Sequence, residues 1–153
     1  VESAGEMYQA AMTAFPSNDA AILCAAVADY RPENASEQKI KRETEGEMTL
    51  HLVPNPDIAA SLGAIKREGQ VMVGFALETN DEATYAEGKL KRKNLDFIVL
   101  NSLRDPGAGF RCDTNKITIL RRNGTERAFG LKSKAEVACD IVDEIEACRA
   151  ERA

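Results

Sequence analysis

Residues 71–101 have the sequence VMVGFALETNDEATYAEGKLKRKNLDFIVLN, in which two apolar runs flank a polar segment. The runs at 71–76 and 96–101 have the length and continuity of strands that are buried on both faces. Polar residues at 78–81 supply a cap for a helix over about 81–93. Since a strand, helix, strand order places both strands parallel in one sheet, this segment predicts an α/β fold with helices packed on both faces.

The residues before this segment extend the pattern toward the N-terminus. A capping box, Ser3-x-x-Glu6, opens an amphipathic helix over about 4–15. The continuously apolar run 20–27 predicts a central parallel strand, and 29–32 predicts a loop. Residues 48–53 alternate between apolar and polar, as a half-buried strand does.

A second capped helix, a β-hairpin and a terminal helix complete the predicted fold. Asp57 caps a helix that we expect to carry its apolar residues on one face. Strands over 116–120 and 125–131 flank Asn123-Gly124, a strong signal for a β-hairpin. Ser133 then opens a terminal helix through a second capping box.

Composition fits one soluble globular domain over residues 1–153. Hydrophobic residues make up 44%, charged residues 29%, and no apolar run is long enough to span a membrane. The net charge of −5 argues against a nucleic-acid partner, because phosphate contacts normally require a basic domain. The four cysteines form no CxxC pair, so we expect reduced thiols, most of them buried, in a cytoplasmic protein. They are Cys24, Cys112, Cys139 and Cys148.

The basic residues are concentrated in two short runs, 39–42 and 89–93, which suits a small anionic ligand. Lys89 and Lys93 are four residues apart on one predicted helix, so both ammonium groups can converge on one phosphate. Lys39, in a polar loop, could fold over a bound anion. The alternative is that both runs are ordinary solvated surface.

Three strand ends are candidate binding loops, because ligands of open α/β sheets bind beyond the carboxyl ends of parallel strands. They are 25–29, 75–79 and 101–102, and each is rich in small or polar residues. Ordinary strand-to-helix turns would have the same composition. Asp29 and Asp57 could bond a ribose hydroxyl or help to hold a magnesium ion through phosphate, and Asp57 could equally be a helix cap alone.

Six ordered motifs carry a resemblance that spacing alone does not give. From about residue 3 to residue 147, the chain resembles the synthetase domain of bacterial bifunctional phosphopantothenoylcysteine decarboxylase/synthetase. The motifs are Ala25-Ala-Val-Ala-Asp-Tyr-Arg-Pro32, Lys39-Ile-Lys41, Asn55-Pro-Asp-Ile58, Gly74-Phe-Ala76 with Glu78-Thr79, Lys89-x-x-x-Lys93-Asn-Leu-Asp96, and Gly109-Phe110 with Asp113-x-Asn115.

The resemblance implies a Rossmann-like fold, a homodimer and one step of coenzyme A synthesis. In that step CTP, with Mg²⁺, activates 4′-phosphopantothenate as an acyl-cytidylate, and L-cysteine displaces CMP. The family's N-terminal glycine- and serine-rich segment, with an asparagine that handles the acyl-cytidylate, does not occur in this sequence. The decarboxylase domain expected before it, which alone would bind FMN, does not occur either, so we expect a fragment that is inactive alone.

The family's site residues carry over by position. Lys39 corresponds to a flap lysine needed for turnover, whereas Asn101 and Phe110 resemble residues near the second substrate or the lid. The metal ligands are not implied. The positions corresponding to nucleotide contacts are Leu23, Cys24, Ala25, Asp29, Lys39, Pro56, Asp57, Ile58, Ala59, Phe75, Lys89 and Lys93.

Three alternatives stay open at this point. The first is a non-catalytic nucleotide-binding or assembly module, since a fold does not determine a function. The second is a dinucleotide domain of the dehydrogenase type, although the glycine fingerprint is absent and 107–109 is a poor substitute for it. The third is a synthetase that uses ATP, because backbone groups that read a base need not leave a signature in the side chains.

Overall fold

The computed structural model of the chain describes residues 1–36, 38–40, 48–78, 82–102, 106–108 and 112–152. Within these residues the α-helices are α1 (Ala4–Ala14), α2 (Ile58–Ile65), α3 (Glu82–Arg92) and α4 (Lys134–Ala150). The strands are β1 (Ala20–Leu23), β2 (Tyr30–Pro32), β3 (Leu52–Pro54), β4 (Val71–Glu78), β5 (Phe97–Ser102), β6 (Thr114–Asn115), β7 (Ile117–Arg121), β8 (Glu126–Ala128) and β9 (Lys132–Ser133).

The main sheet has five strands in the order β1-β4-β5-β7-β8. The first three are parallel, with Ala20 opposite Val71 and Val73 opposite Phe97. The hairpin β7–β8 turns at Gly124, whose φ of +84° glycine adopts without steric cost, and adds two antiparallel strands to the same sheet. Two short antiparallel ladders, β2–β3 and β6–β9, lie outside the main sheet.

Helices cover both faces of the sheet, as the sequence predicts. Because side chains alternate along a strand, Val73 and Phe97 pack on α4 while Met72 and Ile98 pack toward α1, α2 and α3. The predicted helix caps are also present: Ser3 and Ser133 each form a complete capping box. The predicted α/β class, with a parallel sheet, a C-terminal hairpin and a terminal helix, is confirmed.

Three local predictions are wrong, those for the segments 20–27, 29–32 and 48–53. The first parallel strand is shorter than the run 20–27, and among the described strands it lies at the edge of the sheet. Small alanines account for the difference, because a run of alanine is apolar whether it is buried or lies in a loop. The predicted loop 29–32 contains β2, which pairs with β3, while 48–51 lies outside any strand.

The cysteine prediction is also wrong in part. All four thiols are free, as expected, but only Cys148 is buried, whereas Cys24 and Cys139 are exposed. Burial raises the pKa of the Cys148 thiol, which keeps it protonated at neutral pH. Separately, none of the described helices is long and apolar enough to cross a membrane.

A buried carboxylate joins three elements at the amino ends of β4 and β5. Asp96 accepts hydrogen bonds from the Met72 N–H at 2.6 Å, from Lys66 Nζ at 3.0 Å and from Arg152 Nη2 at 2.5 Å. Burial alone would raise the pKa of Asp96, but these three donors outweigh it and hold the pKa below its usual value. This cluster fixes the end of the sheet that lies away from the predicted binding loops.

Candidate functional site

A cavity of about 250 Å³ opens at the carboxyl ends of β1 and β4. Its walls are the loop 25–29, the segment 55–59 that leads into α2, and the C-terminal end of α3. This is the edge at which open α/β sheets bind ligands, because strands end there and helices begin.

The structure brings most of the predicted nucleotide contacts together around this cavity. These residues come from segments that are far apart in the sequence. It is therefore the fold that brings them together around the cavity. Ten of the predicted residues line it: Leu23, Ala25, Asp29, Pro56, Asp57, Ile58, Ala59, Phe75, Lys89 and Lys93.

Three other predicted site residues, Cys24, Lys39 and Asn101, do not line the cavity. Cys24 and Lys39 are exposed and are not among the lining residues. Asn101, at the end of β5, accepts a hydrogen bond from Asn115 Nδ2 at 3.1 Å and also lies outside the lining. Phe110 falls outside the described residues, so its predicted role remains a prediction.

The basic run at the end of α3 divides between the cavity and solvent. Lys89 and Lys93 are half-buried and line the cavity, while Lys91 and Arg92 are exposed and do not. The four-residue spacing explains this division, because residues four apart share one face of a helix. Both lysines of this pair therefore lie at the cavity.

Asp57 connects the start of α2 to the end of α3. Its Oδ1 accepts from the Ala60 N–H at 3.0 Å, which makes Asp57 the cap of α2, and its Oδ2 lies 3.0 Å from Lys93 Nζ. Partial burial raises the pKa of Asp57, but the bonds from Ala60 and Lys93 outweigh it, so the pKa lies below its usual value. The sequence left open whether Asp57 is a cap or a site residue, and its position fits both.

A close approach between α2 and the end of α3 makes this pairing geometrically feasible. A Cβ at Gly63 would lie 2.2 Å from the carbonyl oxygen of Lys93. Asn94 has a φ of +52° and donates from Nδ2 to the Gly63 carbonyl at 2.8 Å. Glycine at 63 therefore lets the two elements touch, and that contact holds Asp57 beside Lys93.

Several lining residues were not predicted as site residues. Gly74, Leu95 and Ile98 are buried lining residues, and their apolar character signals only a core position. Asn55 belongs to a quoted motif, and its strand-end position was the signal that could have identified it. Val27 and Ala28 line the cavity as members of the predicted binding loop 25–29, whereas Met7, on α1, was not predicted.

The carboxylates that line the cavity suit a magnesium ion only if phosphate groups of a ligand also bind the ion. The described residues contain no cluster of three or more histidine, cysteine or carboxylate side chains that could hold a metal. Two carboxylates, Asp29 and Asp57, line the cavity. Mg²⁺ is commonly bound through one or two carboxylates together with substrate phosphates, so a metal-triphosphate complex suits this arrangement.

A family model matches nearly the whole chain. Residues 1–148 match the DNA/pantothenate metabolism flavoprotein C-terminal domain. The chain belongs to this family. Its fold agrees with a crystal structure of the C-terminal domain of the coenzyme A biosynthesis bifunctional protein CoaBC, with a TM-score of 0.77 and 36% identity. That match covers 99% of this chain and 67% of the crystallised one.

Two curated relatives show how much of a longer protein this family domain represents. A CoaBC protein of Vibrio parahaemolyticus is 46% identical over 146 residues, which is 95% of this chain and 36% of the relative. A protein from an unknown prokaryotic organism, named cysteine/cysteine sulfinic acid decarboxylase, is 57% identical over 145 residues and is covered over 40% of its length. The chain thus spans well under half of these relatives.

Proposed function

We propose that this domain is a phosphopantothenate–cysteine ligase of coenzyme A biosynthesis that uses CTP. The observation that carries the proposal is the convergence of Lys89, Lys93 and the loops 25–29 and 55–59 on one cavity. Membership of the family and the likeness to CoaBC support it. The reaction would join 4′-phosphopantothenate to L-cysteine and release CMP and pyrophosphate.

The proposed reaction depends more on positioning the substrates and neutralising the charge of the triphosphate than on a strong base. The substrate carboxylate attacks the α-phosphorus of CTP and pyrophosphate leaves; the cysteine amine then attacks the acyl carbon, CMP leaves and the amine loses a proton. Lys89 and Lys93 would neutralise the triphosphate, while the backbone of the two loops would hold the cytidine. Mg²⁺ would neutralise further phosphate charge when bound.

The first test is thermal unfolding of the protein with CTP and with ATP, each with magnesium. A ligand that binds only the native state raises the melting temperature by mass action. An external dye is needed because the chain has no tryptophan. A rise with CTP that exceeds the rise with ATP supports the proposal, and a larger rise with ATP overturns the choice of nucleotide. No rise with either overturns nucleotide binding by this domain.

Lys39 is the proposed catalytic lysine, on the strength of the family resemblance. Since its side chain is exposed, Lys39→Gln should leave the melting temperature unchanged. Turnover measured as pyrophosphate release, in a protein that also carries the neighbouring segments of the relatives, should fall at least tenfold. Full turnover in this variant would favour the non-catalytic nucleotide module or move the catalytic role to another residue.

The name of one relative gives a second candidate, decarboxylation of cysteine or cysteine sulfinic acid. This chain matches only 40% of that relative, so its activity can reside in the remaining segment. Release of carbon dioxide from cysteine sulfinic acid by the chain itself, without CTP, would favour this candidate over the ligase. In the ligase proposal, the FMN-dependent decarboxylase domain belongs to the same full-length protein, which is cytoplasmic.

We also propose that the domain forms a homodimer through the β2–β3 ladder. Tyr30 is 61% exposed and Leu52 is 56% exposed on the two strands of this ladder, and Met48 and Leu50 are exposed just before it. Apolar side chains grouped in this way on a short ladder are typical of a protein interface.

A further inference from the structure

Asn55 joins the two loops that form the mouth of the cavity. Its backbone N–H donates to the Asp29 carbonyl at 2.8 Å, and its side-chain Nδ2 donates to the Ala28 carbonyl at 2.8 Å. Both acceptors belong to the loop 25–29, whereas Asn55 belongs to the segment that enters α2. One residue therefore fixes the spacing between the two proposed nucleotide-binding loops.

The amide group of Asn55 is itself held in place from the other side. Arg31, on β2, donates from Nη1 to Asn55 Oδ1 at 3.2 Å and to the Pro54 carbonyl at 2.9 Å. The bond to Oδ1 assigns the amide orientation, because a guanidinium group can only donate. Nδ2 is therefore the atom that faces the Ala28 carbonyl.

The backbone around Asn55 is stiff. Pro54 and Pro56 have fixed φ angles, and a residue before proline is restricted to extended conformations. The side chain of Asn55 is thus presented from a segment with little freedom, and it is half-buried. The loop 25–29 is less constrained, since its alanines are exposed and Val27 is the residue whose side chain packs against the core.

We propose that Asn55, oriented by Arg31, is a positioning residue that sets the geometry of loop 25–29 for nucleotide binding. It acts through the loop backbone and does not itself react. The choice of CTP as the ligand rests on the proposed function. The hydrogen bonds between Asn55 and loop 25–29 are present without a ligand. The ladder β2–β3 then supports the cavity as well, because Arg31 lies on it.

The test compares Asn55→Asp and Asn55→Ala with the wild-type protein. Asn55→Asp keeps an acceptor for Arg31 but places a carboxylate oxygen opposite the Ala28 carbonyl, and Asn55→Ala removes both side-chain bonds. Asn123→Asp is the matched control, because Asn123 lies in the β7–β8 turn and uses only its Oδ1 as an acceptor, from the Thr125 N–H. Affinity for Mg-CTP is measured by calorimetry, and ¹⁵N order parameters of residues 25–28 are measured without nucleotide.

We expect both Asn55 variants to bind CTP at least tenfold more weakly and to lower the order parameters of 25–28, with no such change in Asn123→Asp. Arg31→Lys can keep only part of the hydrogen bonding to Asn55 and Pro54, so it should weaken CTP binding less. This variant replaces the Asn55 variants in the test if both of them fail to fold. Unchanged order at 25–28, or unchanged CTP affinity, would overturn the inference. If the wild-type protein binds no CTP, the proposed function fails, and the order parameters alone decide the role of Asn55.

Discussion

Asp57 uses its two carboxylate oxygens for different partners, the Ala60 N–H and Lys93 Nζ. Asparagine keeps the helix cap but removes the ion pair, whereas alanine removes both. A lost cap costs about 1 kcal/mol, while a pair whose side chains are 30% and 49% exposed is worth about 0–1 kcal/mol. Urea unfolding should therefore rank stability as wild type, Asp57→Asn, then Asp57→Ala. Equal losses in both variants would mean that the ion pair dominates.

Asp96 is the residue at which loss of a single charge should matter most for stability. Asp96→Asn leaves Lys66 and Arg152 without their shared carboxylate, and removal of one partner from a buried pair costs about 3–5 kcal/mol. Asp19→Asn is the control, because Asp19 pairs with Arg149 at 3.3 Å on the exposed surface. Its loss in urea unfolding should stay below about 1 kcal/mol.

The same carboxylate gives a pH dependence whose sign can be worked out. The pKa of Asp96 is lower in the folded protein than in the unfolded chain, so its stabilisation is present above the unfolded pKa of about 4. It is lost as the pH falls from there through the folded pKa. The free energy of unfolding of the wild type should thus fall more steeply below about pH 4 than that of Asp96→Asn. Parallel curves would show that the pKa of Asp96 is the same in the folded and unfolded states.

At the scale of elements, the contact between α2 and the end of α3 tests how the cavity is built. A methyl group at Gly63 meets the Lys93 carbonyl at 2.2 Å, so Gly63→Ala must push the two elements apart. Overpacking of this kind costs about 1–3 kcal/mol. The matched control is Gly5→Ala in α1, where an added Cβ would lie 3.9 Å from Ser3 Oγ. Gly63→Ala should also weaken CTP binding, and a fully stable Gly63→Ala would contradict this packing.

Elements were predictable from sequence wherever the signal is local. The caps at Ser3, Asp57 and Ser133 and the turn at Gly124 depend on a few neighbouring residues, and the structure contains all four. The extent of β1 was not predictable in this way. Alanine is compatible with a buried strand and with a loop that approaches a ligand, so composition could not place the end of the strand.

The site was predictable in part because spacing and strand ends carry information about it. The interval from Lys89 to Lys93 predicts a shared face, and both lysines line the cavity. The bridging role of Asn55 was not predictable, because its partners Ala28 and Arg31 are 27 and 24 residues away. Only the folded backbone brings those groups within hydrogen-bond distance.

At the scale of the whole molecule, the proposed homodimer makes the β2–β3 ladder the surface to change. Leu52 is 56% exposed, so Leu52→Glu should cost the monomer little, while a buried charge at an interface would be unpaired. Val142→Glu is the control, since Val142 is 47% exposed on α4. Sedimentation at about 10 µM should give twice the 16.7 kDa chain mass for wild type and Val142→Glu, but a monomer for Leu52→Glu. A wild-type monomer across concentrations would refute the dimer, and a Leu52→Glu dimer would place the interface on another surface.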